Sequence, residues 1–381
     1  MSVRIGQKPI RCGLRVTLAL CVLALLAACA APPKARWPER SPQEVIAQLF
    51  DLLPAKLDQR EGWARDIEAA FTHLELLPST ENLCAALAVI EQETGYRANP
   101  SVPNLPKIAR GEIERRAARL KIPKIAIAAV LRLPSGDGRS FGQRLDALRT
   151  EKDMSDLFEE IIDRVPLGPR LLDSANPVRT GGSMQVAINF AEGHARRKPY
   201  PYGEDLRVRD EVFSRRGGVY FGIAHLLQYP NSYDRHLYRY ADFNAGWYAS
   251  RNAAFQRALG VLSGVALVAD GDLRLPDTGV FDRRVGQTEA TALATAAALG
   301  LSESRIRRDL TREDRFDFED TATWREVFAR AEAKVGKPLP RAVIPRITLQ
   351  SPKITRTLTT EWFVNRVQTR YQQCINRAYR G

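Results

Sequence analysis

From Ser79 to Gly95 the chain spells out one whole helix with both ends marked, and this segment does most to restrict the fold. Ser79 or Thr80 can start it, because a short side-chain oxygen accepts from the unpaired amides of a first turn. Leu83, Leu87 and Ile90 then recur at helical spacing, and Gly95 can take the left-handed conformation that ends a helix. The same punctuation recurs elsewhere. Ser41-Pro42-Gln43-Glu44 is a capping box with proline at the first helical position, opening a helix through about residue 53. Apolar spacing predicts further helices over 62–76, 105–121, 124–132, 141–149, 152–164, 209–227, 234–239 and 245–262. From Thr288 onward the pattern is again helical, with a proline-rich interruption at 338–345. Between 166 and 203 proline and glycine crowd, and Met184-Gln185-Val186-Ala187-Ile188 suits a small hairpin or irregular loop better than a helix. Residues 266–275, with Asp270-Gly271 at their centre, suggest a second hairpin. The expected class is mainly α with a minor β element, and no internal repeat is found.

The first forty residues set the compartment. Arg4, Lys8, Arg11 and Arg15 precede an apolar run from Val16 to Ala28 that is too short to span a bilayer and has the flanks of a secretory signal. Leu26-Ala27-Ala28-Cys29 resembles the bacterial lipobox, which implies lipidation of Cys29. Ala30, where an aspartate would resemble an inner-membrane retention signal, favours the outer membrane facing the periplasm. Residues 29–40 then serve as a tether. The formal charge is +13, and loss of the four signal cations leaves +9 on the mature part. A polyanion suits such a surface, and secretion argues against nucleic acid. The pairs and triplets of cations, such as Arg196-Arg197-Lys198, are more often solvated faces than sites. Of five cysteines, Cys12 and Cys21 leave with the signal and Cys29 goes to lipid, so Cys84 and Cys374 remain as an even pair in an oxidising compartment. A disulfide between them is favoured over two buried thiols.

Glu91 and Glu93 lie about 200° apart around their helix, so they cannot both face one cleft. Periodicity does not choose between them. Position favours Glu93, because the last turn and partial burial both disfavour a carboxylate and suit a general acid. For any one glutamate, a surface position at a helix end is the commoner role.

Three short segments give Glu93 more weight. Ile90-Glu91-Gln92-Glu93-Thr94-Gly95-Tyr96, followed by Pro100, resembles the I-x-x-E-S-G-F-x-P motif of the soluble lytic transglycosylase and goose-type lysozyme superfamily, with Glu93 in the place of the catalytic glutamate. Gly182-Ser183-Met184-Gln185-Val186 resembles the G-L-M-Q-V motif. Tyr240-Ala241-Asp242-Phe243-Asn244-Ala245-Gly246 resembles A-A-Y-N-A-G, with phenylalanine where tyrosine is usual. Between them Arg216-Gly217-Gly218-Val219-Tyr220-Phe221 occupies the place of the N-I-x-x-G-x-x-Y-L helix. The resemblance covers about residues 80 to 260.

It implies a lysozyme-like (α+β) domain over 41–265, with an insertion at about 101–180. A mostly helical region at 266–381 is expected to pack on that domain, and 1–28 is expected to be a signal peptide. It also implies that Glu93 protonates the bond between N-acetylmuramic acid and N-acetylglucosamine in peptidoglycan. Gln185 and Asn244 would bind sugar or hold Glu93, Met184 would pack beneath the cleft, and Gly246 would admit the sugar closely. Asn244 also suits a helix N-cap. Tyr240, Tyr248, Tyr220 or Tyr229 could supply the hydroxyl that Phe243 lacks. No second carboxylate is placed convincingly near the motifs; Asp242 and Glu192 are candidates by sequence proximity alone. Since hydrolases usually need two, transglycosylation is expected before hydrolysis, and a non-catalytic wall-binding lipoprotein is the alternative from another class. His73, His194, His225 and His236 show no metal-ligand spacing, and no phosphate loop is present, so no metal or cofactor is expected.

Overall fold

A computed structural model describes residues 40–164, 176–203, 205–276, 284–349 and 357–380. The expected signal peptide, Cys29 and nearly all of the tether lie outside the described residues. No described helix is long and apolar enough to cross a membrane.

The protein is mainly helical, with two short antiparallel hairpins among the described residues. Helices α1 (Pro42–Leu52), α2 (Arg60–His73) and α3 (Thr80–Thr94) come first, followed by α4 (Leu105–Arg119), α5 (Lys124–Arg132), α6 (Phe141–Asp146) and α7 (Glu151–Arg164). The hairpin of β1 (Thr180–Gly181) and β2 (Val186–Ala187) pairs Thr180 with Ala187 and Gly181 with Val186. It leads into α8 (Ile188–Arg197), α9 (Val208–Val212), α10 (Arg215–Leu227), α11 (His236–Ala245) and α12 (Ala249–Ser263). Helices α13 (Gln287–Ala294), α14 (Ala296–Leu299), α15 (Glu303–Leu310) and α16 (Ala322–Val335) follow, then a hairpin of β3 (Thr348–Leu349) and β4 (Leu358–Thr359), and last α17 (Thr360–Ala378).

Helix α3 is the axis of the larger core. Ser79 caps it by accepting from the Asn82 amide at 3.2 Å, and Gly95 ends it at φ 58°. Residues 83–90 are all buried, so this helix is apolar on every side rather than along one stripe. Leu83, Leu87 and Ile90 mark its spacing, but Cys84, Ala85, Ala86, Ala88 and Val89 fill the other faces. Helix α17 lies against it, and a disulfide joins Cys84 to Cys374 with an S–S length of 1.99 Å and Cα atoms 5.6 Å apart.

Two apolar cores form, and they do not divide at residue 265. The first gathers buried residues between Val45 and Ala241 and also takes Phe363, Val364, Val367 and Cys374 from α17. The second is built from α12 together with residues such as Leu273, Ile306, Phe318, Trp324 and Phe328. Thus α12 joins the chain that follows it, whereas the last helix returns to the first core. The return is what the 290-residue separation of the two cysteines records.

Three local expectations are corrected. Residues 188–197 are helical, not irregular, with Ile188, Ala191 and His194 buried along one side. The helix read as 234–239 runs on to Ala245, so Asn244 stands in a last turn and does not cap the helix that follows. No strand forms over 266–275. There the Gln256 side chain donates to Asp270 Oδ1 at 2.7 Å and accepts from the Gly271 amide at 2.8 Å. Glu313 accepts from the amides of Leu273 and Arg274 at 2.8 and 3.2 Å. Buried side chains take the backbone groups that a ladder would have used.

Candidate functional site

Glu93 is half-buried in the last turn of α3. Its neighbours fix which way that turn faces. Glu91 lies 3.5 Å from Arg370 Nε, and Gln92 Oε1 accepts from Arg366 Nε at 3.3 Å, so both face α17. With about 200° between positions 91 and 93, Glu93 is turned away from α17. Docking of the last helix thus fixes the side to which Glu91 and Gln92 turn.

The residue after Glu93 ties this turn to the second motif. Thr94 is buried, and its hydroxyl donates to the Ser183 carbonyl at 2.9 Å, across 89 residues of sequence. Tyr96 is buried too: its hydroxyl donates to the Leu87 carbonyl at 3.3 Å and its ring meets Trp63 edge-on at 5.8 Å. The Gly182-Ser183-Met184-Gln185 segment is the turn of the β1–β2 hairpin. Gly182 adopts φ +75°, and a Cβ there would collide with the Val212 carbonyl. Ser183 and Met184 are fully buried. Gly222, in the middle of α10, leaves the notch that Met184 fills, and Gly218 brings the same helix against the Ser183 backbone. Met184 thus packs as an apolar filler against a helix.

Gln185 does not project freely. Its amide nitrogen donates to Glu151 Oε2 at 3.0 Å and lies 3.4 Å from the Gly182 carbonyl, while Thr180 donates to its oxygen at 3.5 Å. Glu151, at the start of α7, is not singled out by any motif. Its only signal is its place in the first turn of a helix, where an acid is ordinary.

The third motif meets the same helix from another side. The Phe243 ring packs on His225 of α10 at 5.1 Å, and Trp247 Nε1 donates to the His225 carbonyl at 2.8 Å. Burial holds the His225 imidazole down at about 4, so it is neutral. Asn244 Oδ1 accepts from the Thr360 hydroxyl at 3.0 Å, which fastens α11 to the first residue of α17. Gly246 ends α11 at φ 108° and is exposed. Helix α10 is therefore the common wall: Gly218 and Gly222 meet the second motif on it, and His225 meets the third.

The hydroxyls and acids proposed from sequence mostly have other duties. Asp242 is fully buried and accepts from Tyr229 at 3.0 Å, Tyr233 at 2.6 Å, the Tyr248 amide at 2.9 Å and the Ser250 amide at 2.7 Å. It caps α12 and joins it to α11, so it is a structural acid and not a second reacting carboxylate. Burial pushes its carboxyl up, against the pull of those donors. Tyr248 donates to the Pro230 carbonyl at 2.9 Å, which leaves neither it nor Tyr229 a spare hydroxyl proton. Tyr220 is buried, and burial raises its hydroxyl. Tyr240 is buried between His236 and Tyr371, and its hydroxyl has no hydrogen-bond partner among the described residues. Glu192 lines a cavity of about 330 Å³ beside the β1–β2 hairpin, with Arg179, Thr180 and Arg209. No group of three potential metal ligands occurs among the described residues.

Residues 56–377 match a family described as "Protein of unknown function (DUF1615)". The chain is 48% identical over 361 residues to the uncharacterized protein YaiW of Escherichia coli (strain K12), covering 94% of this chain and 97% of that protein. No solved structure matches.

Proposed function

The chain belongs to the DUF1615 family, and we propose that it is a peptidoglycan lytic transglycosylase anchored to the outer membrane by lipid on Cys29. The reading rests most on one contact, the Thr94–Ser183 hydrogen bond, which sets the half-buried Glu93 turn against the Gly-Ser-Met-Gln turn. Two segments 89 residues apart that resemble the first two motifs of one enzyme superfamily thus meet at the expected carboxyl. On this reading the first core corresponds to a lysozyme-like domain, and the helices between residues 101 and 180 are the insertion.

The chemistry needs a single carboxyl. Glu93, protonated, gives its proton to the glycosidic oxygen as the bond from the muramic C1 breaks. The resulting carboxylate then takes the proton of the muramic C6 hydroxyl, whose oxygen closes on C1 and leaves a 1,6-anhydro end. No water enters, and the glutamate ends as it began. Tying Asp242 to four donors fits this one-acid scheme better than a two-carboxylate hydrolase.

A second reading, a non-catalytic wall-binding lipoprotein, draws on the same site. The Gln185 amide is spent on Glu151 and the Asn244 oxygen on Thr360, so both hold the scaffold instead of reaching for a sugar. Digesting purified sacculi with the protein and weighing the products separates the readings. Anhydro-muropeptides, abolished in Glu93→Gln with thermal stability unchanged, are expected. Reducing muropeptides would mean a muramidase, and intact sacculi that retain the protein would mean a binder. Undiminished cleavage by Glu93→Gln would remove Glu93 from the mechanism.

A further inference from the structure

The helical insertion carries a surface that the wall chemistry does not use. Helix α5 (Lys124–Arg132) has no buried residue, although seven of its nine residues, from Ile125 to Leu131, form one unbroken apolar run. Its inner side faces a cavity of about 300 Å³ between α4, α5 and α7, walled by Ile113, Leu120, Ile127, Val130, Phe158 and Ile162 among others. Its outer side meets solvent. Ile125 is 81% exposed, and the turn that leads into the helix shows Leu120 at 54% and Ile122 at 39%. A helix apolar on both sides belongs inside a core, and this one stands at an edge.

The charge around this tip has one sign. From Arg115 to Arg132 there are six cations, Arg115, Arg116, Arg119, Lys121, Lys124 and Arg132, and no acid. Glu112 on α4 takes Arg115 and Arg116, and Glu160 on α7 is held by Arg144. Arg119, Lys121, Lys124 and Arg132 are exposed, and none makes an ion pair among the described residues. Exposed isoleucine and leucine side chains interleaved with unpaired cations are the composition of a segment that lies in a membrane interface. The apolar tips enter the acyl boundary while the cations meet lipid phosphates.

We infer that the α4–α5 ridge is a docking surface for an anionic bilayer, separate from any lipid on Cys29. Ile125 enters the interface, with the part-exposed Ile122 and Leu120 at the rim of the cavity beside it, and Arg119, Lys121, Lys124 and Arg132 meet anionic headgroups. Docking there would hold the insertion against the membrane that anchors the protein.

The test uses the chain from residue 40 onward, which contains both cores and the disulfide and has no lipid to supply binding. Flotation with vesicles of phosphatidylcholine containing phosphatidylglycerol is compared with phosphatidylcholine alone. Binding to the anionic vesicles only, weakened by salt, is expected. Ile125→Glu should lower it at least tenfold, and its 81% exposure spares the fold. Lys121→Glu and Lys124→Glu should each lower it by more than about fivefold, since each replaces a cation of the surface with an anion. Unchanged far-ultraviolet circular dichroism confirms that each variant is folded. Equal binding to both vesicle types, no binding to either, or variants that bind as the wild type does would overturn the proposal.

Discussion

The two cores are held by different means. The first is built round α3, apolar on every side, with α10 presenting glycines where Met184 and the Ser183 backbone press in and a disulfide closing it, while its buried polar side chains, such as Thr94, Ser155 and Asn176, tie turns to it. The second has apolar walls of Phe255, Phe318, Trp324 and Phe328, but buried polar side chains join them to the loops. Arg251, fully buried, donates to the carbonyls of Glu313 and Arg315 at 2.6 and 2.7 Å and lies over the Tyr248 ring at 4.2 Å. Asn252, Gln256 and Glu313 bind the 270–274 backbone from within. An apolar core depends on filled volume, whereas a polar one depends on each member being satisfied. The contrast predicts which changes each region resists.

The largest effect is expected in the second core. Arg251→Ala empties the buried space its side chain fills, removes the donor to the Arg315 carbonyl and takes one of two donors from the Glu313 carbonyl, at a cost of about 3–5 kcal/mol. Hydrogen exchange should show amides of α12 and α16 losing protection while those of residues 83–90 keep theirs; uniform loss would mean that the two cores unfold together. Next in size is the disulfide. Replacing Cys84 and Cys374 by alanine should cost about 2–4 kcal/mol, because the bond closes a very long loop. Protection of α3 and α17 should fall first, since the second core contains no cysteine.

A smaller effect separates the cores by pH. His225, in the first core, has its folded value held at about 4 by burial, below the usual 6.5. Its contribution is therefore fully present above pH 6.5 and lost as pH falls toward 4, on the order of 2–3 kcal/mol. In the second core, burial raises Asp272 and Glu313 above the usual carboxylate range. The folded state there takes up protons more readily than the unfolded one, so acidification offsets instead of adding to the loss. Denaturant melts from pH 7 to 4.5 should show the first core weakening more steeply, and His225→Asn should flatten that slope. Parallel loss in both cores would show that the histidine does not set it.

Much of the α3 region was legible because its signals act over a few residues. Ser79 and Gly95 bound the helix through backbone amides and carbonyls within four residues of themselves, and the sequence places both ends within one position. The β1–β2 turn was also visible as a break in helical pattern. The 266–275 segment departs from its local signal for the opposite reason. Asp270-Gly271 is a good hairpin signal, but Gln256 and Glu313, one on either side in sequence and 40 residues from Leu273 in the second case, claimed its amides first. Arg251 gave no warning, since an arginine in a helical pattern is ordinarily exposed.

By itself, then, the sequence determined the mainly helical class, the ends of α3, and an even pair of cysteines beyond the N-terminal segment. Only tertiary structure decided that Glu91 faces α17 while Glu93 turns from it, that Gln185 is spent on Glu151, and that Asn244 bonds Thr360 across 116 residues. Caps and periodicity are local and survive in an isolated segment, whereas the partner of a side chain is chosen only when distant helices dock and exclude water from between them.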